Sequence, residues 1–213
     1  MIINNRMPVF HNHRAIFLHI GKTAGFSIEK ALGMESKDYR EFDKDAVYGL
    51  NKGVMTQHAR LPYIEQFLTD EQVKEYFKFT VVRNPWDRMV SAYHYLYDFH
   101  LKKFGDFSTW LEHKYNMVVN NKHREGSHYT PQVEFTHQNG EQVVDYIGRF
   151  EQLDACFQYI REKLELDDAV LKTLNKSKHR KKKYFDYYTP ETVKMVEEMY
   201  ASDIELFNYT YNM

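Results

Sequence analysis

Four groups of residues in this chain have types and spacings suited to handling anions and protons. The first is Gly21-Lys22-Thr23-Ala24-Gly25-Phe26-Ser27. A lysine in a short glycine-bracketed turn, followed by residues at helical spacing, brings a full positive charge, backbone N–H groups and a helix N-terminus to one place. That is anion-binding chemistry of the kind that holds a phosphate. The second is Arg83 with Ser91, which lies in the helical run that follows it. Arginine grips phosphate in a planar, bidentate way. The third is His58, whose ring type suits general-base work near neutral pH. The fourth is the run from Lys176 to Lys183, with Lys176, Ser177, Lys178 and Arg180 at its start and six Lys or Arg in eight residues. In a chain with formal net charge −1, such a run is a local anion attractor. It also reads as a solvated loop.

The elements that must position these residues are legible from hydrophobic pattern. Ala15 to Ile20 is a short apolar run that reads as a buried strand of a parallel sheet, and the glycines after it read as positions needing unusual backbone angles. Ile28, Ala31 and Leu32 recur at helical spacing, with Gly33 as the stop. Tyr76 to Val82 is a second strand. Pro85 opens a long helix whose apolar side holds Trp86, Met89, Val90, Tyr93, Leu96 and Tyr97. Arg83 therefore falls at the carboxyl end of a strand, where open α/β sheets bind ligands. Arg88 and Ser91 share a helix face at i, i+3. An arginine–carboxylate pair at the strand–helix junction is the alternative use of Arg83.

Further expectations are a short strand near Ala46 to Leu50, a helix from Pro62 through Ile64, Phe67 and Leu68, and a helix over Phe107 to Val119. A short helix follows Thr130-Pro131-Gln132, and Asn139-Gly140 marks a turn. A third strand is expected over Val143 to Gly148, then a helix through Leu153, Cys156 and Ile160. The last helix is capped by Thr189 with Pro190 at its first position.

Composition narrows the class. The chain has 213 residues, with 43% hydrophobic and 28% charged, which fits one globular domain spanning 1–213. The balanced charge does not suggest nucleic-acid binding. A single cysteine, Cys156, excludes an intrachain disulfide and a multi-cysteine metal cluster. No apolar stretch approaches the roughly 20 residues of a membrane span. Met1 to Arg14 lacks the apolar region of a signal peptide, so a cytoplasmic location is expected.

Gly21-Lys22-Thr23 is not the common triphosphate loop. That pattern needs a glycine five residues earlier, and the position is Ile16. Instead, His19 to Ile28 resembles the 5′-phosphosulfate loop of sulfotransferases, and Val81 to Tyr93 resembles their 3′-phosphate motif. Val144 to Glu151 and the ending from Tyr187 through Phe207 are similar to the membrane-type carbohydrate sulfotransferases. The resemblance implies a three-layer α/β fold like that of P-loop kinases, with a central, mostly parallel sheet between helices. It implies the donor 3′-phosphoadenosine 5′-phosphosulfate (PAPS), a glycan hydroxyl as acceptor, and no metal. Residue by residue, Gly21 to Ser27 would hold the 5′-phosphosulfate, with Lys22 catalytic and the Thr23 and Ser27 hydroxyls helping. Arg83 and Ser91 would hold the 3′-phosphate. Lys176, Ser177, Lys178 and Arg180 resemble the loop that closes over the donor.

His58 is the expected base, because related glycan enzymes place a histidine or glutamate after the first helix. His19, Glu65 and His128 are weaker candidates. Phe26 and Gly21 depart from the family pattern. Two other functions compete: a P-loop nucleotide kinase or hydrolase, and a non-catalytic domain binding sulfated glycans. Tyr129, Arg124 and Lys122 are weak candidates for a sugar site.

Overall fold

In the computed structural model, which describes residues 8–34, 40–45, 47–120, 125–172 and 179–211, the three expected strands lie side by side. A four-stranded sheet has the spatial order β1 (Val9–Phe10), β2 (Ala15–Leu18), β3 (Phe77–Val82), β4 (Tyr146–Arg149). Strands β2, β3 and β4 are parallel, and β1 is an antiparallel edge added by a tight reversal. The register pairs Leu18 with Thr80. The segments leaving β2 and β3 at their carboxyl ends therefore start next to each other.

Alternation along the strands explains the layers. Ile16, Leu18 and Val82 point to one apolar cluster; Phe17, Phe79 and Val81 point to another on the opposite face. Helices carry the covering side chains, among them α1 (Gly25–Ala31), α2 (Pro85–Tyr95), α3 (Phe107–Val119), α4 (Leu153–Lys163) and α5 (Pro190–Met199). Ile28 of α1 with Cys156 and Ile160 of α4 closes one face. Trp86, Met89 and Val90 of α2, Trp110 of α3 and Val196 of α5 close the other. A sheet buried on both faces is why β2 is a continuous apolar run rather than an alternating one. The result is an α/β fold with a mixed, mostly parallel central sheet between helices. No helix among the described residues is long and apolar enough to cross a membrane.

Several boundaries differ from the sequence reading. Strand β2 stops at Leu18, leaving His19 and Ile20 in the loop. Strand β4 begins at Tyr146 because the preceding Asp145 anchors the junction, its N–H donating to the Lys78 carbonyl at 2.7 Å and its carboxylate accepting from the Lys78 N–H at 2.7 Å. Helix α2 ends at Tyr95, and a separate helix runs over Tyr97–Phe104. At the break His100 Nδ1 donates to the Tyr93 carbonyl at 2.7 Å, supplying the partner that the Tyr97 N–H would give in a continuous helix.

The helix at Pro62 is a short one, Leu61–Glu65, and a second helix over Asp70–Glu75 follows, started by a Thr69–Gln72 capping box that the sequence reading missed. The strand sought near Ala46 to Leu50 is the ribbon Leu50–Asn51 with Val54–Met55; Ala46 lies outside the described residues. The Asn139-Gly140 turn joins His137–Gln138 to Glu141–Gln142, both turn residues having positive φ. Thr189 caps α5 as expected.

Candidate active site

The loop between β2 and α1 takes its shape from residues other than its glycines. Positive φ falls on Lys22 (72°) and Ala24 (67°), while Gly21 and Gly25 stay outside the left-handed region. The expectation that these glycines supply unusual backbone angles is therefore corrected. They supply room. A Cβ on Gly25 would lie 2.0 Å from His19 Cδ2, and one on Gly21 would lie 2.9 Å from His128 Cδ2. Each glycine is the floor on which a histidine ring rests. Gly25→Ala should therefore destabilise the fold by about 1–3 kcal/mol, the usual cost of overpacking, seen as a lowered denaturation midpoint.

Thr23 is fully buried and its hydroxyl donates to the Ile20 carbonyl at 2.8 Å, which locks the turn. Ala24 receives the Ser27 and Ile28 N–H groups at 2.9 and 3.2 Å. Ser27 is buried, and Phe26 packs against the cluster on the α1 side of the sheet. Since α1 has only seven residues, its dipole is small, and the local positive field comes from side chains such as Lys22 and Arg83. Burial, then the neighbouring Arg83 charge, brings the Lys22 ammonium down to about 8. Its Nζ lies 3.8 Å from the centre of the Tyr95 ring, a cation–π contact.

Arg83 follows β3 and reaches across to the first loop. Its Nη1 donates to the Lys22 carbonyl at 2.9 Å, its Nε donates to Asp87 at 2.8 Å, and its guanidinium lies 3.8 Å from the Phe150 ring centre. Asp87 also accepts from Arg180 Nη2 at 2.6 Å. One carboxylate thus ties together two arginines from distant parts of the chain. The junction pair considered as an alternative use of Arg83 is present, and it coexists with the link to Lys22. Burial pushes the Arg83 guanidinium below its ordinary value, and Asp87 opposes that shift.

Arg88 and Ser91, though spaced for one face, do different work. Arg88 is buried and aimed at main chain: Nε donates to the Gly21 carbonyl at 3.1 Å, and Nη2 donates to the His128 and Thr130 carbonyls, both at 2.9 Å. It fastens the loop before α1 to the segment around His128. Ser91 is half-buried on α2.

The backbone of Arg83 is held by a residue the sequence reading passed over. Gln132, fully buried, donates to the Arg83 carbonyl at 2.9 Å and accepts the Arg83 N–H at 2.8 Å. Gln132 is in turn held by the buried Asp203, which accepts the Gln132 and Val133 N–H groups at 2.9 and 2.8 Å. An amide next to a proline carries no periodic signal, so pattern reading had no means to find it. Tyr95 was also missed; an aromatic four residues after Ser91, on the less apolar side of α2, was its only signal.

Three histidines follow one another edge to face beside the loop. Ring centres are 4.4 Å apart for His19–His58 and 4.4 Å for His58–His128. His58 is buried, with Nδ1 2.9 Å from the His19 carbonyl and Nε2 2.9 Å from His128 Nε2. His19 Nδ1 contacts Glu29, which is fully buried and accepts from Gln57 Nε2 at 2.8 Å. Burial, followed by His128 and His19, pushes the His58 imidazole well below its ordinary value. Burial, followed by Lys22, brings His128 down to about 3. Glu65 belongs to the helix after Pro62, and these close contacts involve His19, His58 and His128 instead. Among the described residues no group of His, Cys, Asp or Glu is arranged to hold a metal ion.

Lys176, Ser177 and Lys178, expected over the donor, lie outside the described residues, as do Lys122 and Arg124. Arg180 is described and joins the site through Asp87. The structure thus brings together Lys22, Arg83, Arg180 and the histidine stack at the carboxyl ends of β2 and β3. In comparison with known proteins, a family model described as "Sulfotransferase family" matches residues 5–210. No curated protein and no solved structure matches the chain.

Proposed function

From the premise that the chain belongs to the sulfotransferase family, we propose that it transfers a sulfuryl group from PAPS to a carbohydrate hydroxyl by in-line displacement. The observation that carries this reading is the hydrogen bond from Arg83 Nη1 to the Lys22 carbonyl. It joins two phosphate-binding units, one after each of two neighbouring parallel strands. A ligand with anionic groups at two separated positions suits such a clamp better than one with a single phosphate chain.

In this reading Lys22 and the loop through Ser27 take the 5′-phosphosulfate. Arg83 and Ser91 take the 3′-phosphate, and Arg180 with Lys176 to Lys178 approaches from the late loop. The donor supplies the sulfuryl group: its sulfur–oxygen bond to the 5′-phosphate breaks as a bond to the acceptor oxygen forms. Lys22 steadies the charge that gathers on the departing oxygen. The histidine stack around His58 receives the hydroxyl proton. For the acceptor, a hollow lies next to the ribbon that precedes His58. It is lined by Phe42, Tyr63 and Phe67 with Lys44, Lys52 and Asn51, a mixture of aromatic faces, cations and an amide.

Calorimetry with 3′-phosphoadenosine 5′-phosphate tests the donor. Binding in the micromolar range or tighter is expected at pH 7, and no binding there would overturn the assignment. The pH dependence has a defined sign. Lys22 loses its proton near pH 8 in the free protein, and a bound anion favours its protonated form. Affinity should therefore be full below pH 8 and fall by up to about tenfold per pH unit above it, until the pKa of the bound state is reached. The ligand's phosphates titrate near pH 6 and do not contribute in that window.

A further inference from the structure

The histidine stack has a direction, and the direction moves the base. We propose that the proton of the acceptor hydroxyl is taken by Nδ1 of His128, with His58 behind it as a positioning residue. The inference rests on the sulfotransferase reading and makes it more specific.

Hydrogen-bond accounting carries the argument. The His19 carbonyl can only accept, so at 2.9 Å His58 Nδ1 must carry a proton and donate it. In a neutral ring the other nitrogen, Nε2, is then a lone pair. That lone pair lies 2.9 Å from His128 Nε2, so the single proton between them belongs to His128. The free lone pair of His128 is left on Nδ1. Both nitrogens of His58 are occupied and its ring is buried, whereas the His128 ring in edge contact with it is only partly buried. Of the two rings, His128 is the one more open to an acceptor.

The chain spends several contacts on placing that ring. The Arg88 guanidinium accepts no hydrogen bonds and donates to the His128 carbonyl and to Gly21. Arg60, two residues after His58, donates its N–H and its Nε to Glu125 at 2.7 and 2.8 Å, tying the segment before His128 to the segment after His58. Gly126 passes so close to Met55 that a Cβ would lie 2.7 Å from the Met55 carbonyl oxygen. Gly21 leaves the space for the ring itself.

His128 also lies next to the group that would face the departing oxygen. Tyr95 takes Lys22 Nζ over its ring at 3.8 Å and His128 edge-on at 5.6 Å, and is itself 54% exposed. The tyrosine thus places the lysine and the histidine against one solvent-exposed ring.

Free His128 is a weak base, held down by burial and by Lys22, His19 and Arg88, with His58 and Tyr95 as its other close ring neighbours. A dianionic phosphate or a phosphosulfate at Lys22 offsets that cation. His128 thus gains basicity when the donor is in place. The proton balance is simple: the acceptor O–H bond breaks, a bond from hydrogen to His128 Nδ1 forms, and His128 Nε2–H stays hydrogen-bonded to His58.

Two measurements test this. Nitrogen-15 imidazole NMR of the free protein at pH 7 should show the proton on Nδ1 of His58 and on Nε2 of His128. The opposite pattern would overturn the proposal without any acceptor being known. Sulfate transfer from labelled PAPS to a panel of unsulfated oligosaccharides, run alongside 3′-phosphoadenosine 5′-phosphate calorimetry, supplies the second. His128→Gln should lower kcat by about 100-fold or more with Kd for the nucleotide within threefold. His58→Gln, whose amide oxygen can still accept from His128, should lower it by about tenfold or less. An inactive His58→Gln beside an active His128→Gln returns the base to His58. Failure of the wild-type protein to bind the nucleotide would count against the sulfotransferase reading instead, while the NMR result would still stand for or against the tautomer chain.

Discussion

Lys22→Ala should reduce sulfate transfer by about 1,000-fold while leaving the fold intact. A single preorganised donor aimed at developing oxyanion charge is worth roughly 100- to 1,000-fold in kcat, and Lys22 adds a full charge to that geometry. The fold should tolerate the change because the side chain is not fully buried and rests on the face of Tyr95, while removing its charge also relieves the repulsion with Arg83. Alanine retains a Cβ, so the positive φ at this position is no better and no worse tolerated. Stability should fall by no more than the loss of one cation–π contact, about 0.5–1 kcal/mol, read from the thermal midpoint. Lys22→Arg separates charge from position. Its guanidinium does not titrate below pH 12, so nucleotide affinity should lose its decline above pH 8. Transfer should still be impaired, because a wide planar group cannot occupy the place of a compact ammonium. Wild-type turnover in Lys22→Ala would remove the lysine from the chemistry, whatever it does for binding.

The same loop shows how far a sequence alone can be read. The order strand, turn, helix was legible because Ala15 to Leu18 is apolar without alternation and Ile28, Ala31 and Leu32 recur at helical spacing. Arg83 at a strand end was legible for a similar reason, through Tyr76 to Val82 and the proline that starts the next helix. What was not legible is everything set by contacts between distant segments. The glycines looked like backbone hinges, since a sequence shows flexibility more readily than the approach of another chain segment. Only in three dimensions do His19 and His128 arrive above them. Gln132 and Asp203 act through single hydrogen bonds to main chain, which leave no periodic trace. His58 could be singled out by type and by its place near an element end, but its ranking above His128 rested on family likeness. Tautomer direction depends on which atom faces the His19 carbonyl, and no spacing rule encodes that.

Arg83→Ala should act mainly on the donor, weakening 3′-phosphoadenosine 5′-phosphate by about 100-fold or more. Removing one partner of a buried, hydrogen-bonded charge cluster costs about 2–5 kcal/mol, which includes the penalty on the groups left behind. Here those groups are identifiable. The Lys22 carbonyl loses its donor, Phe150 loses the guanidinium stacked on it, and Asp87 is left with Arg180 as its remaining guanidinium partner. The variant should therefore lose stability as well as affinity, and both should be measured, by thermal denaturation and by calorimetry. Arg83→Lys should recover little. A lysine ammonium lacks the planar fork that meets the Lys22 carbonyl and Asp87 together, and it cannot stack on Phe150 as the guanidinium does. Asp87→Asn is the informative companion. It keeps the volume but only one acceptor oxygen, so the charge partner is lost and one of the two arginines, which now bond to different Asp87 oxygens, faces an amide N–H2 instead. If Asp87 holds them in readiness for a phosphate, its loss should weaken nucleotide binding by about tenfold or less. If Asp87 instead competes with the phosphate for the same guanidinium, binding should tighten. Arg83→Ala with unchanged nucleotide affinity would contradict the two-ended clamp itself, because the link from strand β3 to the Lys22 loop would then serve only the fold.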